Sequence, residues 1–229
     1  MNKKLSVAVA ALCSFSGLHA LAADLPLKAP PPVANAWGYH WYLEGRLGAP
    51  LPKDYDINIG GLGAATYRPS SGFHGAGDLG IQFDRHWRAE LEVTGTTARD
   101  GSVTLGGVNI PHRGTTNVYT VEVNGLYSFD VGPWFRPFVG AGVGFANYNV
   151  NNLGAVGGTF VINDSKTTYV LGLHAGFDVP ITQSFLFTAR YTLADTGGMT
   201  FNSVPAGNPT TRSSTIDNIL TAGFRFYFN

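Results

Sequence analysis

The sequence has little cysteine, little charge and, beyond its first residues, no long apolar run. Its single cysteine, Cys13, has no partner for a disulfide, and charged residues form 13% of the chain, against ~25% in a typical soluble domain. Lysine and arginine together number 15, as do aspartate and glutamate, so no basic excess indicates a nucleic-acid partner. These deficits exclude a disulfide-stapled domain, a protein of membrane-spanning helices and a nucleic-acid-binding protein.

The first 22 residues are typical of a secretory signal peptide. Two lysines precede an apolar run over residues 5–18, and "ALA" at 20–22 is a small-x-small cleavage pattern. The run is shorter than the ~20 residues that a spanning helix needs, so an anchor helix is disfavoured. We predict Sec-dependent export, with cleavage before Ala23 or Asp24.

The rest of the chain divides into a short linker and one domain. Residues 23–36 are proline-rich, which predicts an extended periplasmic linker, and residues 37–229 form the domain. With 30 glycines, 15 phenylalanines and 10 tyrosines beside its low charge, the chain has the composition of a transmembrane β-barrel. In lipid every backbone polar group must be paired, so only helices and closed barrels span a membrane.

Apolar and polar residues alternate along eight segments of the domain, and we predict a strand for each. The segments are 39–48, 72–83, 87–97, 116–129, 135–148, 166–179, 185–196 and 214–228. The second, fourth and sixth strands are followed by short turns at 84–86, 130–134 and 180–184. The other connections are long, rich in Gly, Asn, Ser, Thr and Pro, and predicted to be mobile polar loops: 49–71, 98–115, 149–165 and 197–213.

The strict alternation of short and long connections predicts the fold class: an all-β, eight-stranded, antiparallel, up-and-down transmembrane β-barrel. Outer-membrane barrels have short periplasmic turns and longer outside loops, and an even strand number brings both ends of the barrel to the periplasmic side. A soluble β-protein is the alternative, but it has no reason to place its long loops at alternate joints.

The strand "WRAELEVTGTT" at 87–97 shows how the two faces should be oriented. In lipid its apolar side, with Leu91 and Val93, faces outward, and Glu90 and Glu92 face the lumen. A barrel of about eight strands is just filled by side chains, and buried charges must pair. We therefore predict a lumen ion-pair network that occludes the barrel, formed by Glu44, Arg46, Asp78, Arg88, Glu90, Glu92, Glu122, Arg136, Asp178, Arg190 and Arg225.

Aromatic residues gather near the predicted strand ends. Amphipathic rings at such positions are typical of a girdle at the depth of the lipid headgroups. We predict that this girdle contains Trp41, Trp87, Tyr127, Phe129, Phe135 and Phe185.

Three other patterns have a chemical interpretation and a structural one. Glu90 and Glu92, ~7 Å apart on one face, could suit two-carboxylate chemistry, but pairing with interior arginines is favoured. His174 could act as a general base, but no serine shares its face. "GAGVG" at 140–144 has no helix after it for a phosphate to bind, and the histidines lack metal-ligand spacing. We predict no catalytic residue, no cofactor and no metal.

The segments "AADLPLKAPPP", "FRPFVGAGVGFANYNV" and "NILTAGFRFYF" resemble small eight-stranded outer-membrane proteins of alphaproteobacteria, with the opacity-type, porin-like and OmpA-like barrel domains. The resemblance covers the whole chain and implies an abundant surface barrel that supports the envelope and, in some members, contacts a host through its loops. It also implies a C-terminal insertion signal, read by the barrel-assembly machinery, at Phe224, Phe226 and Phe228. Asn229 departs from the pattern, since such chains usually end on the aromatic residue.

Three functions fit these observations. We favour a surface protein with a role in envelope integrity and surface interaction and with an occluded lumen; a narrow porin-like diffusion channel is the alternative, and a lipid-modifying enzyme is less favoured. The expected partners are outer-membrane lipid and lipopolysaccharide, the barrel-assembly machinery during insertion, and host or surface ligands at the long loops.

Overall fold

The computed structural model describes residues 39–51, 53–70, 72–155, 161–204 and 209–228. The predicted signal peptide, the predicted linker and Asn229 lie outside these residues. None of the described residues belongs to a helix that is long and apolar enough to cross a membrane.

The described residues form thirteen β-strands in one sheet. They are β1 (His40–Pro50), β2 (Tyr55–Ile59), β3 (Gly63–Pro69), β4 (Gly72–Gln82), β5 (Trp87–Leu105), β6 (Val108–Ser128), β7 (Arg136–Ala155), β8 (Val161–Pro180), β9 (Phe185–Thr196), β10 (Met199–Phe201), β11 (Ser203–Val204), β12 (Thr210–Arg212) and β13 (Thr215–Phe228).

Eight of these strands close into a barrel, which confirms the predicted fold class. Each of β1, β4, β5, β6, β7, β8, β9 and β13 pairs antiparallel with the next in this order. The ring closes between β13 and β1, from Trp41 opposite Phe228 to Pro50 opposite Ile219. Closure leaves no unpaired sheet edge in the barrel wall, as lipid requires.

The two ends of the barrel differ, and we call them the turn end and the rim end. At the turn end the segments 83–86, 129–135 and 181–184 join neighbouring strands directly, as predicted. At the rim end the five short strands extend the wall: β3 pairs with β5, β2 with β3 and β12 with β2, while β10 pairs with β12 and β11 with β8.

The prediction of mobile polar loops at the rim end was wrong for much of their length. Strands β5 and β6 continue to Leu105 and Val108, which face each other across a two-residue turn of Gly106 and Gly107. Both glycines have positive φ, 56° and 83°, as a tight hairpin turn between twisted strands demands. The strands extend because apolar residues still alternate beyond the predicted ends, as at Val103 and Leu105.

The polarity of the two faces reverses along β7. On β7, Val143 and Phe145 face outward and are 58% and 69% exposed, whereas the next strand positions place Tyr148 and Val150 inside at 4%. Outward-facing Asn147 on this upper part bonds Thr167 of β8 through side chains 2.9 Å apart. The barrel is therefore apolar outside near the turn end and apolar inside near the rim end.

Candidate functional site

Ten of the eleven side chains predicted to line the lumen lie on the inner wall of the turn-end half, and none of the ten residues is more than 4% exposed. We call these ten the plug: Glu44, Arg46, Asp78, Arg88, Glu90, Glu92, Glu122, Asp178, Arg190 and Arg225. Strand alternation puts them there, because Glu44 and Arg46, or Glu90 and Glu92, are two residues apart and share the inward face.

Arg190, on β9, is the centre of the plug. Its guanidinium lies 2.5 Å from Glu90, 2.8 Å from Glu92 and 3.2 Å from Glu44. The Arg190 and Glu90 side chains are both fully shielded from solvent. One cation on β9 thus holds carboxylates from β5 and β1, two strands that both pair with β4.

Arg46 forms a second centre. Its guanidinium lies 2.9 Å from Asp78, 2.5 Å from Glu92 and 2.7 Å from Glu44. Its Nη1 also donates to the hydroxyl of Thr221, 3.2 Å away. Glu92 and Glu44 are each shared between Arg46 and Arg190, which joins the two centres into one network.

The lower part of the plug is built on Asp178. Its carboxylate accepts from Arg225 at 2.8 Å and from Arg88 at 3.0 Å. Arg225 links this pair to the upper centres through Glu44, 2.5 Å away. Arg88 also donates to the Ser128 hydroxyl and lies 4.3 Å from the centroid of a phenylalanine ring on β7.

Neutral groups add further hydrogen bonds to the same carboxylates. Tyr42 donates its hydroxyl to Glu90 at 2.9 Å, and the Asn124 amide donates to Glu90 and Glu92 at 3.3 Å each. His174 contacts the Asn124 carbonyl through Nε2, at 3.2 Å. Sequence reasoning missed Tyr42, although it lies two residues before Glu44 in the inward alternation.

Arg136 is the one predicted member that does not join the plug. It is half-buried at the first position of β7, opposite Asp178 in the strand register. Among the described residues it makes no ion pair, because the Asp178 carboxylate is already held by Arg88 and Arg225. The charge balance changes accordingly: the plug contains six carboxylates and four guanidinium groups.

Asp78, Glu90 and Glu92 bring three carboxylates within 4.8 Å of one another, a spacing at which a metal ion could bind. The guanidinium groups of Arg46 and Arg190 already provide the positive charge at this place. The geometry is therefore that of a salt-bridge network, in line with the predicted interior pairing of Glu90 and Glu92.

Glu122 differs from the other five plug carboxylates. It lies opposite Glu92 on the neighbouring strand, and it is 4% exposed. Its Oε2 has no hydrogen-bond partner among the described residues, and no arginine pairs with it there. Gly144 and Gly172 leave the space for its side chain, since a Cβ on either would lie 2.8 Å from a Glu122 atom.

Above the plug the lumen opens into a cavity of 350 Å³, which no pattern in the sequence predicts. Its floor includes Glu92, Glu122, Thr94 and Thr120, and apolar side chains from both the long and the short strands form most of its wall. These wall residues include Ile57, Ile59, Val103, Leu105, Ile110, Val118, Tyr148, Val150, Leu153, Ile162, Val170, Phe201 and Ile219.

Comparison with known proteins identifies the family. Residues 8–226 match the model of the outer membrane protein beta-barrel domain. The chain belongs to this outer-membrane β-barrel family. It is 28% identical over 179 residues to the outer membrane protein PagN of Salmonella typhimurium, a match that covers 68% of this chain and 74% of PagN.

Solved barrels of this kind share the fold. The outer membrane protein OprG from Pseudomonas aeruginosa aligns with a TM-score of 0.64 and 15% identity, over 84% of this chain and 97% of OprG. Neisserial surface protein A aligns with a TM-score of 0.53 and 18% identity, over 83% of this chain and 99% of that protein. The family match confirms the predicted outer-membrane location; the narrower alphaproteobacterial resemblance stays a prediction.

Membership of the family orients the barrel. Short turns of outer-membrane barrels face the periplasm, so the plug lies in the periplasmic half and the cavity in the cell-surface half. The lipid-facing surface at plug level is apolar, with Leu91 45% and Val123 60% exposed. Charge inside and apolar side chains outside, at the same level, is the arrangement expected of the spanning part of a barrel in this family.

The six predicted girdle aromatics lie near the periplasmic turns. Trp87 packs edge-on against Tyr127, with ring centroids 5.0 Å apart, and Tyr127 against Phe129 at 5.1 Å. Phe185 stacks on Phe224 at 5.1 Å. Trp41 is exposed on the outer wall at 48% and Phe135 at 44%.

The three predicted insertion-signal residues lie on the outer face of β13, beside the closing seam. Phe224, Phe226 and Phe228 are 49%, 51% and 38% exposed. Phe226 and Phe228 pair in register with residues 43 and 41 of β1. The signal would thus lie on the strand that completes the barrel.

Proposed function

We propose that the protein is a non-enzymatic surface barrel with a role in envelope integrity and surface interaction, and that the plug keeps its lumen closed. One observation carries the proposal: the arginine and carboxylate side chains of the ion pairs around Arg190 are at most 5% exposed. A conducting pore needs a continuous hydrated path, and side chains so shielded from solvent leave none at this level.

The same network supports a structural role. Each plug arginine except Arg88 contacts carboxylates of at least two different residues. Such ion pairs fix the strands relative to one another, because removing one partner leaves an uncompensated buried charge.

Surface interaction is assigned to the rim end, where the β2–β3 and β5–β6 hairpins project. Leu62 and Val108 at their tips are 60% and 63% exposed. The rim carries exposed ion pairs, such as Arg68 with Asp54, so its positive and negative charges are balanced and a strongly charged ligand is not favoured. A host or surface ligand would contact these hairpins, and outer-membrane lipid and lipopolysaccharide would contact the wall below them.

Planar-bilayer conductance tests the closed lumen. We expect no stable openings from the wild-type barrel, and leak currents from Arg225→Ala, which removes the cation shared by Glu44 and Asp178. Arg68→Ala, which breaks an exposed pair, is the matched control and should stay closed. Stable, reproducible openings of the wild type would favour the diffusion channel instead.

A separate measurement tests the absence of catalysis. After incubation with phospholipid or lipid A, mass spectrometry should find no released acyl chain. Time-dependent release that depends on the folded barrel would contradict the proposal and support a lipid-modifying enzyme.

Assembly is the last part of the proposal: the barrel-assembly machinery reads Phe224, Phe226 and Phe228. Phe228→Ala should slow folding into vesicles that contain the machinery, whereas Phe73→Ala, on the outer face of β4 and 58% exposed, should not. Equal folding rates for the two variants would contradict the assignment of the insertion signal to β13.

A further inference from the structure

We infer that the cavity above the plug is a binding site for a small apolar molecule with one hydrogen-bond-donating end, an ammonium in preference to a hydroxyl, seated on Glu122. The inference goes beyond the proposed function, since a closed lumen needs no ligand. Three observations carry it: the size and lining of the cavity, the unpartnered oxygen at its floor, and the charge balance of the plug beneath.

The cavity has the size and chemistry of a ligand site. Ligand pockets in proteins measure about 300–1,000 Å³ and are mostly apolar with a few polar groups, and this cavity of 350 Å³ falls within that range. Side chains such as Val118 and Tyr148 form its wall. An apolar cavity of about 150 Å³ already stays dry and binds benzene, so the space here admits an alkyl chain or a bicyclic group.

The floor supplies one place for a polar end. Glu122 is 4% exposed and lines the cavity, and its Oε2 has no hydrogen-bond partner among the described residues. A buried carboxylate oxygen without a donor costs free energy. A ligand that donates a hydrogen bond to this oxygen removes that cost, and its apolar part then extends along Val118 and Tyr148.

The charges around the floor favour a cation. The plug holds six carboxyl groups and four guanidinium groups, and none of the four guanidinium groups pairs with Glu122. Glu92, also at the floor, is committed to Arg46 and Arg190. An ammonium group gives Glu122 the cationic partner that the plug does not provide, whereas a ligand carboxylate at the same place would be buried beside it without a cation.

Among the residues that the structure describes, the upper wall offers no free cation to an anionic ligand. Arg212 also lines the cavity, but it pairs with Asp217 at 3.4 Å and lies over the rings of Tyr55 and Tyr148, 4.6 Å and 5.1 Å from their centroids. Asp217 in turn accepts from the Tyr55 hydroxyl at 2.7 Å. Because the plug closes the periplasmic side, a ligand would load from the cell-surface end.

Binding of three matched compounds to the wild-type barrel tests the inference without any substitution. We would titrate n-decylamine, n-decanol and n-decanoate into the protein in nanodiscs of zwitterionic lipid and follow valine methyl groups by NMR. Val118 on the cavity wall should shift saturably, while Val123, which faces lipid, reports simple partitioning. We expect the amine to bind at least tenfold more tightly than the carboxylate, with the alcohol between them.

Two pairs of variants locate the site. Glu122→Gln should reduce the affinity for decylamine at least tenfold and bring it close to that for decanol. Val118→Trp should abolish binding by filling the cavity, whereas Val121→Trp, three residues away on the lipid-facing side and 49% exposed in the wild type, should leave it unchanged. Gel migration before and after heating checks that each variant is folded.

Several outcomes would overturn the inference. Equal affinities for the amine, the alcohol and the carboxylate would mean that Glu122 does not accept a hydrogen bond from the ligand. Shifts at Val123 alone, or full binding by Val118→Trp, would mean that the compounds dissolve in the bilayer rather than enter the barrel. Channel openings in the conductance experiment would contradict the closed lumen and leave these binding results unaffected.

Discussion

The same strands form two halves of the lumen whose interiors are lined by opposite kinds of side chain. The periplasmic half, inside the lipid-facing belt, fills its interior with charge, whereas the cell-surface half lines its interior with apolar side chains and turns polar ones outward. On β5 the change lies between Glu92, in the plug, and Val103, which is 4% exposed inside the cavity. A strand face is thus charged or apolar according to what surrounds the barrel at that height.

The interior of each half is stabilised in a different way. Where lipid covers the outside, apolar burial cannot distinguish inside from outside, so paired charges specify the inward face. Where water covers the outside, the hydrophobic effect fills the interior, as in a soluble barrel. The buried cluster around Tyr148, Val170 and Phe201 is the core of that upper half.

The largest effect should come from breaking the plug at its centre. Arg190→Met removes one cation and leaves Glu90, Glu92 and Glu44 with fewer partners, while it keeps an apolar stem of similar length. We expect a loss of about 3–5 kcal/mol in the free energy of unfolding, the usual cost of one missing partner in a buried ion pair. Urea unfolding of the barrel in lipid vesicles measures it.

The matched substitution in the upper half should have a smaller effect than Arg190→Met. Arg212→Met breaks one pair, with Asp217 at 3.4 Å, on a side chain that is 14% exposed. Because Arg212 has one carboxylate and two aromatic contacts, we expect a loss of about 1–2 kcal/mol. Equal losses for Arg190→Met and Arg212→Met would mean that the two halves are held in the same way.

A charge introduced on the outer wall separates the two heights. Leu91→Arg places a cation on the lipid-facing side of β5, between two plug residues, and should cost about 2–4 kcal/mol near the bilayer midplane. Val108→Arg places the same charge at the tip of the β5–β6 hairpin and should cost little. If both variants unfold at the same urea concentration, the lipid belt is not at the level of the plug.

A smaller effect is expected where the plug is packed against glycine. A Cβ on Gly142 would lie 1.8 Å from Asn124 Oδ1, so Gly142→Ala must displace an amide that bonds Glu90 and Glu92. Overpacking of this kind costs about 1–3 kcal/mol. Gly45→Ala, where no atom lies within 4 Å of the added methyl group, is the control and should be tolerated.

The smallest effect concerns the periplasmic turn between β4 and β5. Backbone N–H groups of Trp87 and His86 donate to Asp84 and hold the pKa of its carboxyl below its usual value. A lowered pKa means stabilisation above the unfolded-state pKa of about 3.9, lost as the pH falls through the folded value. Asp84→Asn should therefore destabilise slightly near neutral pH and not at about pH 2. If the difference in stability between Asp84→Asn and the wild type persists at about pH 2, the charge of Asp84 is not its cause.

The periplasmic half of the molecule was predictable from the sequence, because one rule governs it. Alternation with charge on one side identified the eight strands and placed Glu44, Asp178 and Arg225 in the lumen. Arg136 follows the same alternation, but Asp178, which lies opposite it on β8, pairs with Arg88 and Arg225 instead. Which arginine pairs with a carboxylate depends on distances in three dimensions, which the alternation does not give.

The cell-surface half was not predictable in this way, because its strands exchange the roles of their faces. The segment around Gly106 and Gly107 carries the hairpin signal, two glycines flanked by alternating apolar residues such as Val103 and Ile110. However, the glycine- and threonine-rich composition of this segment is also typical of a polar loop, and the prediction of a loop followed from that composition. The shape of the cavity depends on how the short strands pair with partners that are distant in the sequence, as β12 pairs with β2. No local sequence pattern contains that information.

The long sequence separations within the plug have a kinetic consequence. Arg190 of β9 bonds Glu44 of β1 across 146 residues, and Arg225 of β13 bonds the same carboxylate across 181, so both pairs require the first strand to meet the last two strands of the barrel. Contacts of such high separation form late in folding. The arginines therefore make closure of the seam cooperative: a sheet that stops one strand short would leave Glu44 facing its open edge. Pulsed hydrogen exchange during insertion should accordingly protect β1 and β13 together, and protection of one well before the other would contradict this order.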